Sequence, residues 1–225
     1  MTPTPAEKLA LEAAIAEVER RELGTTQQYL SSHRLMLENG KPVPLAVLPS
    51  GEGFAVYFGV EDEPYFIVLS VHEYNGHWKP SLCYAEASCN VYLSIRSEDV
   101  SPEEVTALVG LQPTKFWHKG DPKPYRGGKP YTFHSWAFDP SGRGPGEFEI
   151  KLKRLLDLTE ASASKIRALA ETCWVSVIVP YRGYKDQMWG LAVEPGDLSR
   201  LAALGAVLDV DLYAYGPDLV EEQSG

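Results

Sequence analysis

The chain has 225 residues, 44% of them hydrophobic and 23% charged, which is enough length and apolar content to bury a full core. Its 31 acidic and 21 basic side chains leave a net charge of −10, which argues against a general nucleic-acid binder because that role needs a basic surface. No run approaches the ~18 apolar residues that a membrane-spanning helix needs. The opening MTPTPAEK lacks the basic-then-apolar layout of a secretion signal, so a cytoplasmic protein without a membrane partner is expected. Cys83, Cys89 and Cys173 are odd in number and widely spaced, which predicts reduced, mostly buried thiols rather than a disulfide framework.

Thr4-Pro5-Ala6-Glu7 reads as a capping box with proline at the first helical position, and Leu11, Ile15 and Val18 form one apolar stripe behind it. Glu17 and Arg21 are four apart on the expected exposed face, and Gly24 is placed to end this helix. Residues 25–40 admit two readings. Leu35 and Leu37 alternate into Asn39-Gly40, a hairpin signal, with Pro42 and Pro44 restricting the return strand to a sheet edge. Asn39-Gly40 can equally cap a helix begun at Thr25 or Thr26. The hairpin is the favoured reading.

From Phe54 to Cys89, FAVYFGV, YFIVLSVHEY and WKPSLCYAEA predict three strands of an antiparallel meander. Val91, Leu93 and Ile95 then alternate with Tyr92, Ser94 and Arg96 as a half-buried strand. Ser101, Pro102 and Glu104 start a helix with stripe Val105, Leu108 and Val109, and Gly110 stops it. A Pro- and Gly-rich loop follows Trp117 and leads to a strand around Tyr131–Phe138. Phe148, Leu152, Leu155 and Leu156 mark a helix, with a shorter one after a break at Thr159. Trp174–Pro180 reads as a central strand buried on both faces.

Near the C-terminus the strand–helix–strand order returns. Met188–Val193 reads as a strand, Asp197 can cap a helix bearing Leu198, Leu201 and Leu204, and Gly205 stops it before VLDVDLY. The expected fold class is therefore α+β, a ferredoxin-like or related two-layer sandwich on an antiparallel sheet, extended by an N-terminal helix and β-meander. The expected division is residues 1–88, residues 89–216 with two β-α-β-like halves, and a flexible tail at 217–225.

LSIRSEDVSPEEVTALVGLQPTKFWHKGD, SWAF around Trp136 and the closing LAALGAVLDVDLY resemble the bacterial Domain of Unknown Function family numbered forty-two seventy-nine, over residues 90–215. The resemblance carries no catalytic residues with it. It hints at a toxin-immunity context.

Lys115, Lys119, Lys123, Arg126 and Lys129 stand against one acid, Asp121, giving this loop a net of +4 and leaving −14 for the rest of the chain. Gly120, Gly127 and Gly128 allow backbone N–H groups to turn inward beside these cations, an arrangement able to hold a phosphate or carboxylate. Trp117, His118, His134 and Trp136 flank the loop if the two segments pair, and suit ring stacking or proton transfer. The candidate ligand-binding set is Lys115, Trp117, His118, Lys123, Arg126, Gly127, Gly128, Lys129, His134 and Trp136.

No catalytic residue, metal site or cofactor is expected. His77, Cys83 and Cys89 match no zinc spacing, and no G-x-S-x-G or Walker pattern occurs. Asp209 and Asp211 share the outer face of one strand without an evident third group. Two functional classes remain: a non-enzymatic module binding a protein partner, of which an immunity-type inhibitor is one version, and a small-anion or nucleotide sensor, or unrecognised enzyme, using the basic loop.

Overall fold

The computed structural model describes residues 3–124 and 127–219. They divide into two units, one formed by the described residues of Met1–Ser88, Arg182–Trp189 and Leu212–Gly225, the other by those of Cys89–Tyr181 and Gly190–Asp211.

The first unit begins with α1 (Pro5–Arg20), whose capping box forms as the sequence predicts: the Thr4 hydroxyl accepts from Glu7 N–H, and the Glu7 carboxylate accepts from Thr4 N–H. Its end differs from expectation. Arg21, in the left-handed conformation, closes α1, and Gly24 instead begins α2 (Gly24–Ser32). Glu17 is buried rather than paired with Arg21 on the surface, and its carboxylate accepts the Leu23 N–H at 2.9 Å across the short connection. The buried stripe is correspondingly shifted to Ala10, Ala14 and Val18, with Leu11 and Ile15 partly buried beside it.

The favoured reading of residues 25–40 holds: Asn39 and Gly40, at φ 52° and 77°, turn the hairpin of β1 (Leu37–Glu38) and β2 (Lys41–Pro42), while the helix that does form ahead of it, α2, ends at Ser32 and is closed by His33 rather than by Asn39-Gly40. The meander gains a fourth strand: β3 (Pro44–Ser50), β4 (Gly53–Gly59), β5 (Phe66–Tyr74) and β6 (His77–Glu86) pair in that order, all antiparallel. The prolines Pro44 and Pro49 sit on edge strand β3, where a missing N–H costs least. One sheet face, with Val56, Phe58, Ile67, Leu69 and Val71, packs in one core with Ala10, Ala14 and Val18 of α1 and Tyr29 and Leu30 of α2.

The second unit is built on β8 (Tyr92–Ser97), preceded by the two-residue strand β7 (Ser88–Cys89). Then come α3 (Pro102–Val109), β9 (Lys115–Trp117), β10 (His134–Phe138), α4 (Phe148–Thr159), a 3-10 turn at Glu160–Ser162, α5 (Ala163–Leu169), β11 (Trp174–Tyr184), α6 (Pro195–Leu204) and β12 (Val207–Tyr215). The strand order is β12-β11-β8-β10-β9, with β7 beside β11. Taken as β8-α3-β9 and β10-α4/α5-β11, two split β-α-β halves interleave, which is the ferredoxin-like arrangement, and α6 with β12 is added at the edge.

The second half is therefore not the one expected. Met188–Val193 forms no strand, and α6 is entered from Glu194 without a side-chain cap. Trp174, at the start of β11, is 60% exposed rather than buried on both faces, while Val175, Val177 and Val179 are buried. Lys151 of α4 is buried and donates to the carbonyls of Cys89 and Gly144 at 2.8 and 2.6 Å, which satisfies two main-chain acceptors at once.

Of the expected tail, Pro217 to Leu219 are described, and they are tied down. The Tyr184 hydroxyl donates to Pro217 O at 2.9 Å, Leu219 N–H donates to Asp186 at 3.1 Å, and Lys185 pairs with Asp218. At Gly216, φ is 99° and a methyl would overlap the Tyr65 hydroxyl and the Tyr184 ring. Gly216→Ala is expected to lower stability by about 1–3 kcal/mol, from backbone strain and overlap together. Urea unfolding checks this, and a wild-type midpoint would contradict the packing.

Candidate functional site

The basic loop is positioned by local rules on one side and by sheet register on the other. Ser101 and Glu104 form a full capping box at the start of α3, and Gly110, at φ 79°, ends the helix with its N–H on Thr106 O. The chain then enters β9, which pairs with β10 through Trp117↔Ser135, Phe116↔Trp136 and Lys115↔Ala137. The pairing needed to bring Trp117 and His118 beside His134 and Trp136 is thus present.

Register then separates these residues. One row across the sheet is Phe116–Trp136–Ile95–Val175 and the next is Trp117–Ser135–Arg96–Trp174, so the two tryptophans point to opposite faces. Trp136 is fully buried, and its indole N–H donates to the Thr106 hydroxyl of α3 at 3.0 Å. It packs the core, and no ligand can stack on it.

Beyond the sheet the loop continues as a ladder of its own. Gly120 N–H donates to Tyr131 O, Tyr131 N–H to Asp121 O and Lys123 N–H to Lys129 O, with a bridge between Pro122 and Pro130. The N–H of Gly120 is therefore consumed and cannot serve an anion. Gly127 and Gly128 both have positive φ at the exposed tip, and Lys129 is exposed beside them. Arg126 lies outside the described residues.

Two of the basic groups are neutralised within the unit. His118 Nε2 lies 3.0 Å from the Glu103 carboxylate, and Asp121 accepts its main-chain N–H at 2.8 Å. Lys119 Nζ sits 3.3 Å from Glu98, and Lys119 N–H donates to His134 Nδ1 at 3.2 Å. The hydrogen bond to Glu103 holds the His118 pKa above its usual 6.5, and the same bond holds Glu103 below its usual 4.5. The two histidine rings meet edge to face with centroids 5.8 Å apart.

What remains is an aromatic strip with cations on its rings. Trp117 stacks on Tyr131 with centroids 4.7 Å apart and planes 23° from parallel. Lys115 Nζ lies 5.8 Å from the Trp117 ring, Lys123 Nζ 5.3 Å from Tyr131, and the Arg96 guanidinium 5.5 Å from Phe133. Each is within cation–π range. Sequence reading missed Tyr131, Phe133 and Arg96 as members. Their signal was available, because Tyr131, Phe133 and Ser135 continue the period of two back from β10, and Arg96 alternates outward on β8.

The remaining sequence candidates do not converge. His77 is exposed, Cys83, Cys89 and Cys173 are free and buried, and no three metal-ligating side chains cluster among the described residues. Burial pushes the Cys83 thiol up to about 12, so it is an unreactive core group. Asp209 and Asp211 are both exposed on edge strand β12, and both act on Tyr92, whose pKa is raised first by burial.

A family model described as Domain of unknown function (DUF4279) matches residues 87–215, and the chain belongs to that family. No curated protein and no solved structure matches the chain.

The His118–Glu103 pair gives a pH test with a definite sign. A raised His118 pKa contributes stability that is complete below pH 6.5 and lost as pH rises through the raised value. A lowered Glu103 pKa contributes above pH 4.5 and is lost as pH falls through the lowered value. The pair therefore contributes most between these limits. An NMR titration is expected to place the His118 midpoint above 6.5, and Glu103→Gln to move it down. An unmoved midpoint would dismiss the pair.

Proposed function

We propose that this member of the family is a non-enzymatic binding module, and that the strip Trp117–Tyr131–Phe133 with Lys115, Lys123 and Arg96 engages an acidic protein partner. The stacked Trp117–Tyr131 pair, flanked on both sides by lysines, carries the reading. Tryptophan, tyrosine and arginine supply most hot-spot energy at protein interfaces, because they bury large areas at small entropic cost. Lys115 and Lys123 belong to the segment of net +4 in an otherwise acidic chain, and Arg96 adds to them from β8, so charge would steer the partner to this face.

The intramolecular pairing of His118 and Lys119 weakens the alternative, a small-anion or nucleotide sensor, because of the loop's described cations it leaves only Lys115, Lys123 and Lys129 to meet a compact anion. An inhibitor or immunity-type role in the bacterial cytoplasm fits the module reading, and three free, buried thiols suit a reducing compartment.

The test is purification of the protein with its native partner, followed by affinity measurements on variants. Trp117→Ala is expected to weaken binding by about 30-fold, as for an interface hot spot of ~2 kcal/mol. Lys115→Glu with Lys123→Glu is expected to weaken it further and to abolish its salt dependence. A partner held equally by all variants would move the site elsewhere. Stabilisation by nucleotides or phosphosugars, with no protein partner recovered, would replace the module by the sensor.

A further inference from the structure

The row that carries Trp117 continues past the strip. Register extends it as Trp117–Ser135–Arg96–Trp174 across β9, β10, β8 and β11, and residues paired in this way turn their side chains to one face of the sheet. Trp174 is therefore on the strip's side, and it is 60% exposed. An indole is the largest apolar side chain the sheet carries, and leaving one in water on a face that already bears a stacked aromatic pair marks that face as a contact surface.

Between the two tryptophans stands Arg96. It is half-buried, its guanidinium lies 5.5 Å from the Phe133 ring, and it forms no ion pair among the described residues. Its Nε is closed off from solvent and has no hydrogen-bond partner. A guanidinium forks a carboxylate either side-on, through Nε and one Nη, or end-on, through both Nη atoms. The closed Nε leaves the end-on fork. Lys115, two residues from Trp117 on β9, adds positive charge to the same face.

Resting on the reading of the strip as a protein-binding surface, we infer that its partner presents an extended acidic segment laid across the strands, with one carboxylate on the Arg96 fork and an apolar side chain against each of Trp117 and Trp174. Three strand spacings of ~4.8 Å separate the two tryptophans, about 14 Å in all. Five residues of extended chain at ~3.3 Å each cover that distance with the first, third and fifth side chains on one face. The segment that fits is apolar at its ends and acidic in the middle, and Trp174 becomes a contact residue that the strip alone does not include.

NMR titration of the 15N-labelled full chain with the acetylated, amidated peptide Leu-Ser-Glu-Ser-Leu tests this, with the tryptophan indole N–H signals as the readout and Leu-Ser-Gln-Ser-Leu as the uncharged control. The expected result is saturable binding that shifts the Trp117 and Trp174 signals and is about fivefold weaker for the Gln peptide. Binding is expected to weaken about fivefold in Trp174→Ala and in Arg96→Lys, which keeps the charge and loses the fork. Phe116→Ala, in the row that faces the helices, is expected to bind as wild type. If Arg96→Lys does not fold, Trp174→Ala and the Gln peptide decide. The inference is overturned if no shift saturates by ~10 mM peptide, if the Gln peptide binds equally, or if hexauridylate, whose bases can stack on the two indoles, binds more tightly than the peptide. Self-association in sedimentation that Trp174→Ala abolishes would also overturn it, by making a second copy of the chain the occupant. Movement of the Trp117 signal alone, with Trp174→Ala unchanged, overturns the inference and leaves the strip standing, whereas a native partner held equally by Trp117→Ala removes both.

Discussion

The alternation of side chains along β8, β9 and β10 is the constraint from which the second unit's surface follows. Once Trp136, Ile95 and Val175 share a row beneath the helices, the next row must turn Trp117, Arg96 and Trp174 the other way. A slip of one residue would bury Arg96 and expose Trp136 together, losing the indole bond to Thr106. The same register that makes the core therefore sets out the aromatic strip.

Charge is sorted on a similarly local scale. His118 and Lys119 lie closest to the acidic start of α3 and to Glu98, and both are drawn into ion pairs there. Exposed pairs of this kind contribute little to stability, but they fix which cations remain outside. Lys115 and Lys123 lie over aromatic rings and form no ion pair among the described residues, and so keep their charge directed outward.

In the first unit, polarity is buried instead. Tyr29, His33, Tyr65 and Tyr184 pack ring against ring, Tyr29 bonds Gln187, and Gln187 also takes the Ala85 N–H. Burial pushes the Tyr29 pKa up to about 12, so its hydroxyl stays a donor across the physiological range. Such a network fixes one arrangement when every group is satisfied. The unsatisfied His33 Nε2 and Tyr65 hydroxyl are its exception, and the glycine at 216 is what allows the chain to pass against Tyr65 and Tyr184.

The sequence by itself determined whatever depends on neighbours in the chain. The capping boxes at Thr4 and Ser101, the left-handed stops at Gly110 and Gly205, the Asn39-Gly40 hairpin and the strands of the meander all rest on hydrogen bonds or steric limits spanning a few residues. The loop's charge and its flanking aromatics were legible for the same reason. Tertiary structure alone decided the rest. It chose Arg21 over Gly24 as the first stop by burying Glu17, left Met188–Val193 without a strand, and paired β8-α3-β9 with β10-α4/α5-β11 rather than with the C-terminal copy. It sent Trp136 inward and Trp117 outward, although the two look alike in sequence, because strand pairing is set between segments far apart in the chain and only the completed sheet fixes which face is which.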